Sequence, residues 1–184
     1  MWASAPSDLG VLTVARTGRG VCVVRIDDTA GEGEERLRAR TARTHPGATL
    51  VRDDAALADL VEGATARIAG DPAPRAAPLD LVGTPFRLAV WDALTAIPFG
   101  EVRTYTEVAA AVGAPRAVRA VGSACGANPV ALIVPCHRVV PATGGVGNYG
   151  LGPGRKRVLL QREGVTLSGR PTRRPSGTAP TAPA

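Results

Sequence analysis

Val130-Ala131-Leu132-Ile133-Val134-Pro135-Cys136-His137-Arg138-Val139 is the stretch whose reading decides the fold. Five apolar residues, all but Ala131 branched, predict an interior strand. Pro135 cannot donate to a sheet ladder, so the strand is expected to stop there and the chain to turn. Neighbours on a strand face opposite sides, so Cys136 and His137 cooperate only if that turn brings them round.

Downstream, residues 140–154 are rich in glycine (Gly144, Gly145, Gly147, Gly150, Gly152 and Gly154), with Asn148-Tyr149 inside. This is either a plain surface loop or a flexible wall that brings backbone N–H groups close to a ligand. Arg155 to Arg162 reads as a helix with Val158, Leu159 and Leu160 inward, Glu163 near its end and Gly164 as terminator. On spacing alone Glu163 is a surface helix residue. From Ser168 to Ala184 the chain is Pro-, Thr- and Arg-rich, which predicts a disordered tail.

Upstream, Thr84-Pro85 predicts an N-cap and a proline at the first position of a helix. That helix carries Phe86, Val90, Ala93, Leu94 and Ile97 on one face and stops before Pro98. A helix from about Tyr105 to Gly113 is followed by a second, opened by Pro115 and running from Arg116 to about Cys125. Two helices with a glycine in the turn have the outline of a helix-turn-helix, which many proteins with no nucleic-acid role share. The second helix is thin: Ala117, Ala120, Gly122, Ser123 and Ala124 leave Arg116 and Arg119 as its only long side chains. A thin helix approaches a groove or a phosphate backbone closely.

The first segment predicts a small α/β layer. Gly10 to Ala15 and Gly20 to Asp27 read as a hairpin across Arg16-Thr17-Gly18-Arg19. Gly31 to Arg43 has a thin apolar stripe and is helical at its end, and Ala48 to Arg52 reads as a strand. Asp53 reads as N-cap of a helix carrying Leu57, Leu60, Val61, Ala64 and Ile68, ended near Gly70. Asp71 to Pro78 reads as a linker. Cys22, alternating inside its strand, is a small core residue.

Charge and composition narrow the function classes. The formal net charge is +6 over 184 residues; residues 1–78 carry −1 and residues 79–184 carry +7. A basic second half fits a polyanionic partner, although an Arg- and Ala-rich composition produces the same excess. Three cysteines without CxxC spacing argue against a disulfide framework and for a reducing, cytoplasmic setting. Two histidines, His45 and His137, are too few and too scattered for a zinc site. The N-terminus lacks a basic start and a long apolar core, so neither signal peptide nor membrane span is expected.

The motifs together resemble the O6-alkylguanine-DNA alkyltransferases. Pro135-Cys136-His137-Arg138-Val139 stands in order with Gly83-Thr84-Pro85-Phe86, Gly100-Glu101-Val102, Tyr105, Arg116 to Val121, Asn128-Pro129, Gly147-Asn148-Tyr149 and Glu163. The resemblance runs from about Leu79 to Val165 and is nearest the bacterial branch, including the C-terminal half of Ada-type proteins. It implies an α/β, ribonuclease-H-like N-terminal domain with its linker (1–78), a mainly α alkyltransferase domain with a helix-turn-helix of winged-helix type (79–167), and the tail (168–184).

The resemblance also implies roles. Cys136 is the acceptor, taking the alkyl group from O6-alkylguanine, and from O4-methylthymine, in one irreversible displacement. His137, through a water, and Glu163 form the relay that activates it. Tyr105 donates to the guanine ring and helps rotate the phosphate. Val139 offers its carbonyl to the exocyclic amine, Gly150 an N–H near O6, and Tyr149 lines the base pocket. Arg119 fills the space left by the flipped nucleotide, with Arg116, Ala120 and Ser123 on the DNA-facing helix. Asn128 is the hinge between that helix and the acceptor. No cofactor and no metal are implied, and the partner is double-stranded DNA bound by a monomer.

The sequence departs from the family pattern in places. Ala131 stands where some members have proline, and Leu151 where others have glycine; a leucine there narrows the alkyl pocket and favours methyl over benzyl. The Cys-rich domain of the full Ada-type regulator has no counterpart here, so no transcriptional switch is expected within this chain. Two rivals remain. A lesion binder of the alkyltransferase-like kind lacks the acceptor thiol that Cys136 supplies, and a Cys-His hydrolase leaves the thin basic helix without purpose.

Overall fold

Alternation decides the first sheet. In the computed structural model, which describes residues 1–72 and 78–167, β1 (Trp2–Ser7), β2 (Gly10–Arg16) and β3 (Val21–Asp27) pair antiparallel in the order β1-β2-β3. Leu12 lies opposite Ile26 and Val14 opposite Val24, all buried, so one face is a continuous apolar surface. The other face, with Trp2, Ala15, Cys22 and Val23, is covered by Leu37 of α1 (Ala30–Thr44). Helix α1 lies close because Gly33 has no side chain: a Cβ there would sit 2.4 Å from Thr13 Oγ1. It is longer than its apolar stripe suggested, with only Gly33 and Leu37 buried, and starts at Thr29, whose side chain caps Glu32 N–H.

Helix α2 (Ala58–Ala69) starts later than expected. Asp53 Oδ1 accepts from Ala56 N–H at 2.9 Å and forms a turn instead of the cap. Gly70, at φ 94°, ends the helix where the sequence placed its stop. The strand expected over 48–52 reduces to one bridge, Arg52 to Trp2 of β1. β1 itself went unread, since Ala, Ser and Pro fill most of it.

The second half is built on α3 (Pro85–Thr95), capped by Thr84 as expected. A two-residue strand, β4 (Arg103–Thr104), leads into α4 (Tyr105–Ala111), whose start is a capping box between Thr104 and Glu107. Helix α5 (Val118–Gly126) begins after a turn that holds Pro115 and Arg116, so Arg116 precedes the helix and does not open it. Trp91 Nε1 donates to Ala124 O at 2.9 Å and ties α3 to α5. Next come a 3-10 turn at Cys136–Arg138, β5 (Val139–Val140) parallel to β4, and α6 (Pro153–Arg162).

The apolar run before Cys136 is not a strand. Val130 makes a single bridge to Val24 of β3, and Val134 N–H then donates back to Val130 O at 3.0 Å, closing a turn. Leu132 sits at its corner at φ 76°, the one non-glycine among the described residues with positive φ. The run is apolar because it is buried between the two halves, not because it crosses a sheet. Together with Leu79, which bridges Val21, it covers the free edge of β3. Two arginines of α6 fasten the same junction: Arg155 donates to Leu9 O and Asp28, and Arg162 to Ile68 O and Asp8. Most of the expected linker (residues 73–77) and the whole expected tail (168–184) lie outside the described residues.

Candidate active site

Pro135 stops the backbone, and the 3-10 turn that follows delivers three buried side chains in succession, Cys136, His137 and Arg138. The turn thus does what a strand could not.

Asn128, just beyond α5, organises the entrance. Its Nδ2 donates to Val134 O at 2.8 Å and to Cys136 Sγ at 3.0 Å, while its Oδ1 accepts from Val130 N–H at 3.1 Å. One amide therefore joins the end of α5, the Leu132 turn and the sulfur. Burial pushes the Cys136 thiol up; the Asn128 amide and the positive charge of Lys156 pull against it.

Next to the thiol in sequence, His137 meets Glu163. His137 Nε2 and Glu163 Oε1 are 2.8 Å apart, both buried. A carboxylate accepts, so Nε2 carries the proton and the lone pair sits on Nδ1, which is buried and unpartnered. Burial depresses the His137 pKa, and the Glu163 hydrogen bond opposes it. Burial alone would raise Glu163; hydrogen bonds from His137 and Arg138 outweigh it and bring the carboxyl to about 2. Gly100 N–H adds a longer contact at 3.4 Å.

A further part of the site comes from α4, β5 and the glycine loop. Tyr105, at the first position of α4, donates to Asn148 O at 3.4 Å, and burial raises its hydroxyl to about 12. The Tyr149 hydroxyl is buried without an ordinary hydrogen-bond partner, and its ring meets His137 edge-on at 6.4 Å. Gly150 is exposed against Gly126, where a Cβ would come within 3.3 Å of the Gly126 carbonyl. The Val139 carbonyl is already engaged: Lys156 Nζ donates to it at 2.5 Å and to Asn148 O at 3.4 Å.

Arg119, Ala120 and Ser123 lie on the exposed face of α5, while Val121, Ala124 and Cys125 face the core. Arg116 is exposed just ahead of the helix. These residues form an exposed surface on the helix that leads to Asn128.

Two participants went unassigned in the sequence. Arg138 donates to Glu163 twice and to Ile97 O at 2.7 Å, a role its place in the motif does not reveal. Lys156 is fully buried. Its signals were present: it is the only lysine in the chain, and it shares a helix face with Leu159, Leu160 and Glu163.

Fold and site together define a protein with a buried thiol next to a buried imidazole–carboxylate pair and an exposed helix face. Residues 85–165 match a family model described as "6-O-methylguanine DNA methyltransferase, DNA binding domain". A methylated-DNA--protein-cysteine methyltransferase of Mycobacterium tuberculosis is 42% identical over 157 residues, covering 85% of this chain and 88% of the relative. The bifunctional transcriptional activator/DNA repair enzyme Ada of Escherichia coli is 39% identical over 88% of this chain, which spans only 45% of Ada's length. A crystal structure of Mycobacterium tuberculosis OGT in complex with DNA superposes with a TM-score of 0.74 at 40% identity, covering 88% of this chain and 91% of that one. The chain belongs to the methylated-DNA–protein-cysteine methyltransferase family.

Proposed function

We propose that this protein repairs DNA by direct reversal, moving the alkyl group of O6-alkylguanine, and of O4-methylthymine, onto Cys136. The observation that carries the reading is the buried series Asn128–Cys136 and His137–Glu163 set beside the exposed face of α5. His137 Nδ1, the nitrogen with the lone pair, takes the thiol proton through a water. The thiolate attacks the alkyl carbon; the S–C bond forms, the C–O6 bond breaks, and the electron pair passes to the guanine ring, which Tyr105 protonates. A thioether has no leaving group that this site activates, so each molecule acts once.

A stacked base cannot reach a buried thiol, so the nucleotide is flipped at a cost of a few kcal/mol. Arg119 fills the gap, with Arg116, Ala120 and Ser123 against the minor groove. Val139 and Gly150 present backbone groups to the base, and Tyr149 lines its pocket. The Val139 carbonyl keeps a second lone pair beside Lys156, so one acceptor serves both. On this reading α4 and α5 are a helix-turn-helix of winged-helix type, the first sheet with α1 and α2 is ribonuclease-H-like, and the boundary falls near residue 78. The protein works as a monomer in a reducing, cytoplasmic setting, consistent with three unbonded cysteines; among the described residues no helix is long and apolar enough to cross a membrane.

Intact-protein mass spectrometry after incubation with an O6-methylguanine duplex tests this. A gain of one methylene, mapped to Cys136 and absent in Cys136→Ala, is expected. An unmodified protein that still binds the lesion would identify a damage sensor instead.

A further inference from the structure

A cleft of about 460 Å³ runs from the acceptor turn to α1. One wall is the site already described, with Asn128, Cys136, Tyr149 and Gly150; the other is basic. Arg36, Arg40 and Arg43 line it from α1, where spacings of four and three residues put them on one helix face. Arg25 of β3 and Arg87 in the first turn of α3 complete it.

Ion pairs account for two of these cations, since Arg25 and Arg36 both engage Asp27. Arg40, Arg43 and Arg87 have no acidic partner among the described residues. Arg40 is half-buried, and Arg43, Arg25 and Arg87 all press like charge on it. A stable fold gains nothing from converging guanidinium groups without a counter-charge. The cleft supplies what would balance them: it is open to an anion, and it is continuous with the place where a flipped nucleotide must enter. The end of α5, at Gly126, lies on the same cleft, so the basic wall continues the exposed helix surface toward the first sheet.

We propose that the wall formed by Arg40, Arg43 and Arg87 is a second DNA contact, binding the phosphodiester backbone of the strand whose nucleotide is delivered to Cys136. The proposal rests on the DNA-repair reading above and extends it to elements outside the helix pair. Guanidinium forks suit phosphate oxygens, and contacts from α1 would hold the strand on the side of the lesion away from Arg119. They position the backbone and carry no sequence information, as befits a protein that must act wherever a lesion occurs.

The test is the triple variant Arg40→Gln/Arg43→Gln/Arg87→Gln beside its Lys counterpart, with DNA affinity measured from 50 to 200 mM salt. Each phosphate contact contributes about 0.9 to the slope of log affinity against log salt. The Gln triple is expected to bind roughly tenfold or more weakly at the low-salt end, with a slope shallower by about 2 to 3. The Lys triple should keep most of the slope, because charge rather than shape carries it. The rate of methyl transfer from free O6-methylguanine base reports on the acceptor pocket in the same proteins, so the ratio of duplex to free-base rates should fall in the Gln triple. A Gln triple with the parent's slope overturns the proposal. So does an equal loss on duplex and free base, which would make these arginines supports of the pocket, and so does unchanged DNA affinity with altered self-association, which would assign the cleft to a second protein chain. If neither substrate methylates the parent protein, the repair reading fails, while the salt slope still decides whether the cleft binds DNA.

Discussion

Arg138 holds the Glu163 carboxylate by both oxygens, Nε to Oε2 at 2.9 Å and Nη2 to Oε1 at 3.0 Å, with both side chains buried. The carboxylate that orients His137 is thus itself fixed by a cation inside the protein. Removing one partner of such a pair leaves the other charged and unpaired, at a cost of about 3–5 kcal/mol. Glu163→Gln should therefore destabilise the protein by that order, measured as urea unfolding. Arg138→Met with Glu163→Gln should cost less than the sum of the single changes, because the stranded charge is gone. Strict additivity would show that the pair is not coupled.

The same carboxylate sets an acid limit. Glu163 ionises near 2 in the fold against 4.5 for the free side chain. A depressed carboxyl pKa contributes stability that is complete above the unfolded value and lost as pH falls through the folded one. The window is therefore between about pH 4.5 and 2, and the amount on the order of 3 kcal/mol. Urea unfolding followed from pH 6 to pH 2.5 should show this loss, and the Glu163→Gln variant should show a smaller one.

Lys156 acts on the thiol through its charge. Burial lowers its own pKa to about 8, so at neutral pH it is still mostly protonated, and its charge favours the Cys136 thiolate. Lys156→Met should move the pH profile of Cys136 alkylation by a small haloacetamide upward, by about one pH unit and a tenfold slower rate at pH 7. Lys156→Arg keeps the charge and should restore much of the profile if it fits. A purely structural lysine would lower stability and leave the profile where it was.

Leu132 tests the turn that replaced the expected strand. At φ 76° an L side chain is strained by roughly 1–2 kcal/mol, and glycine is not. Leu132 is also buried, so truncation loses apolar contact in either case. Leu132→Gly should accordingly be more stable than Leu132→Ala by about 1 kcal/mol in urea unfolding, the reverse of the order in a helix. Equal stabilities would mean that the corner is unstrained.

That turn marks where the sequence was legible and where it was not. Helices with caps in their own sequence, Thr84-Pro85 before α3 and Gly70 after α2, were readable because the signal is local. Residues 130–134 were misread because periodicity cannot separate a buried strand from a buried turn; only contact with β3 distinguishes them. Within the site, Cys136 and His137 were adjacent and visible. Glu163 was legible only through the family pattern, since nothing local says that a carboxylate at a helix end faces inward. Arg138 and Lys156 were missed because long cations are expected at the surface, and here the helix face and the buried acceptors override that rule.

Leu151 carries the last prediction. It lines the cleft with Ala131 and Cys136. Its half-buried side chain packs against the main core, so the space it occupies is not freely vacated. A benzyl group is much bulkier than a methyl group and needs more of the space that the Leu151 side chain fills. In a competition between O6-methylguanine and O6-benzylguanine duplexes, methyl transfer should dominate by at least about tenfold, a difference near 1.4 kcal/mol and within what one obstructing side chain imposes. Leu151→Gly should raise the benzyl rate and leave methyl transfer within about twofold, a split that loss of fold would not produce. Equal rates on the two adducts in the unaltered protein would show that Leu151 does not shape the pocket.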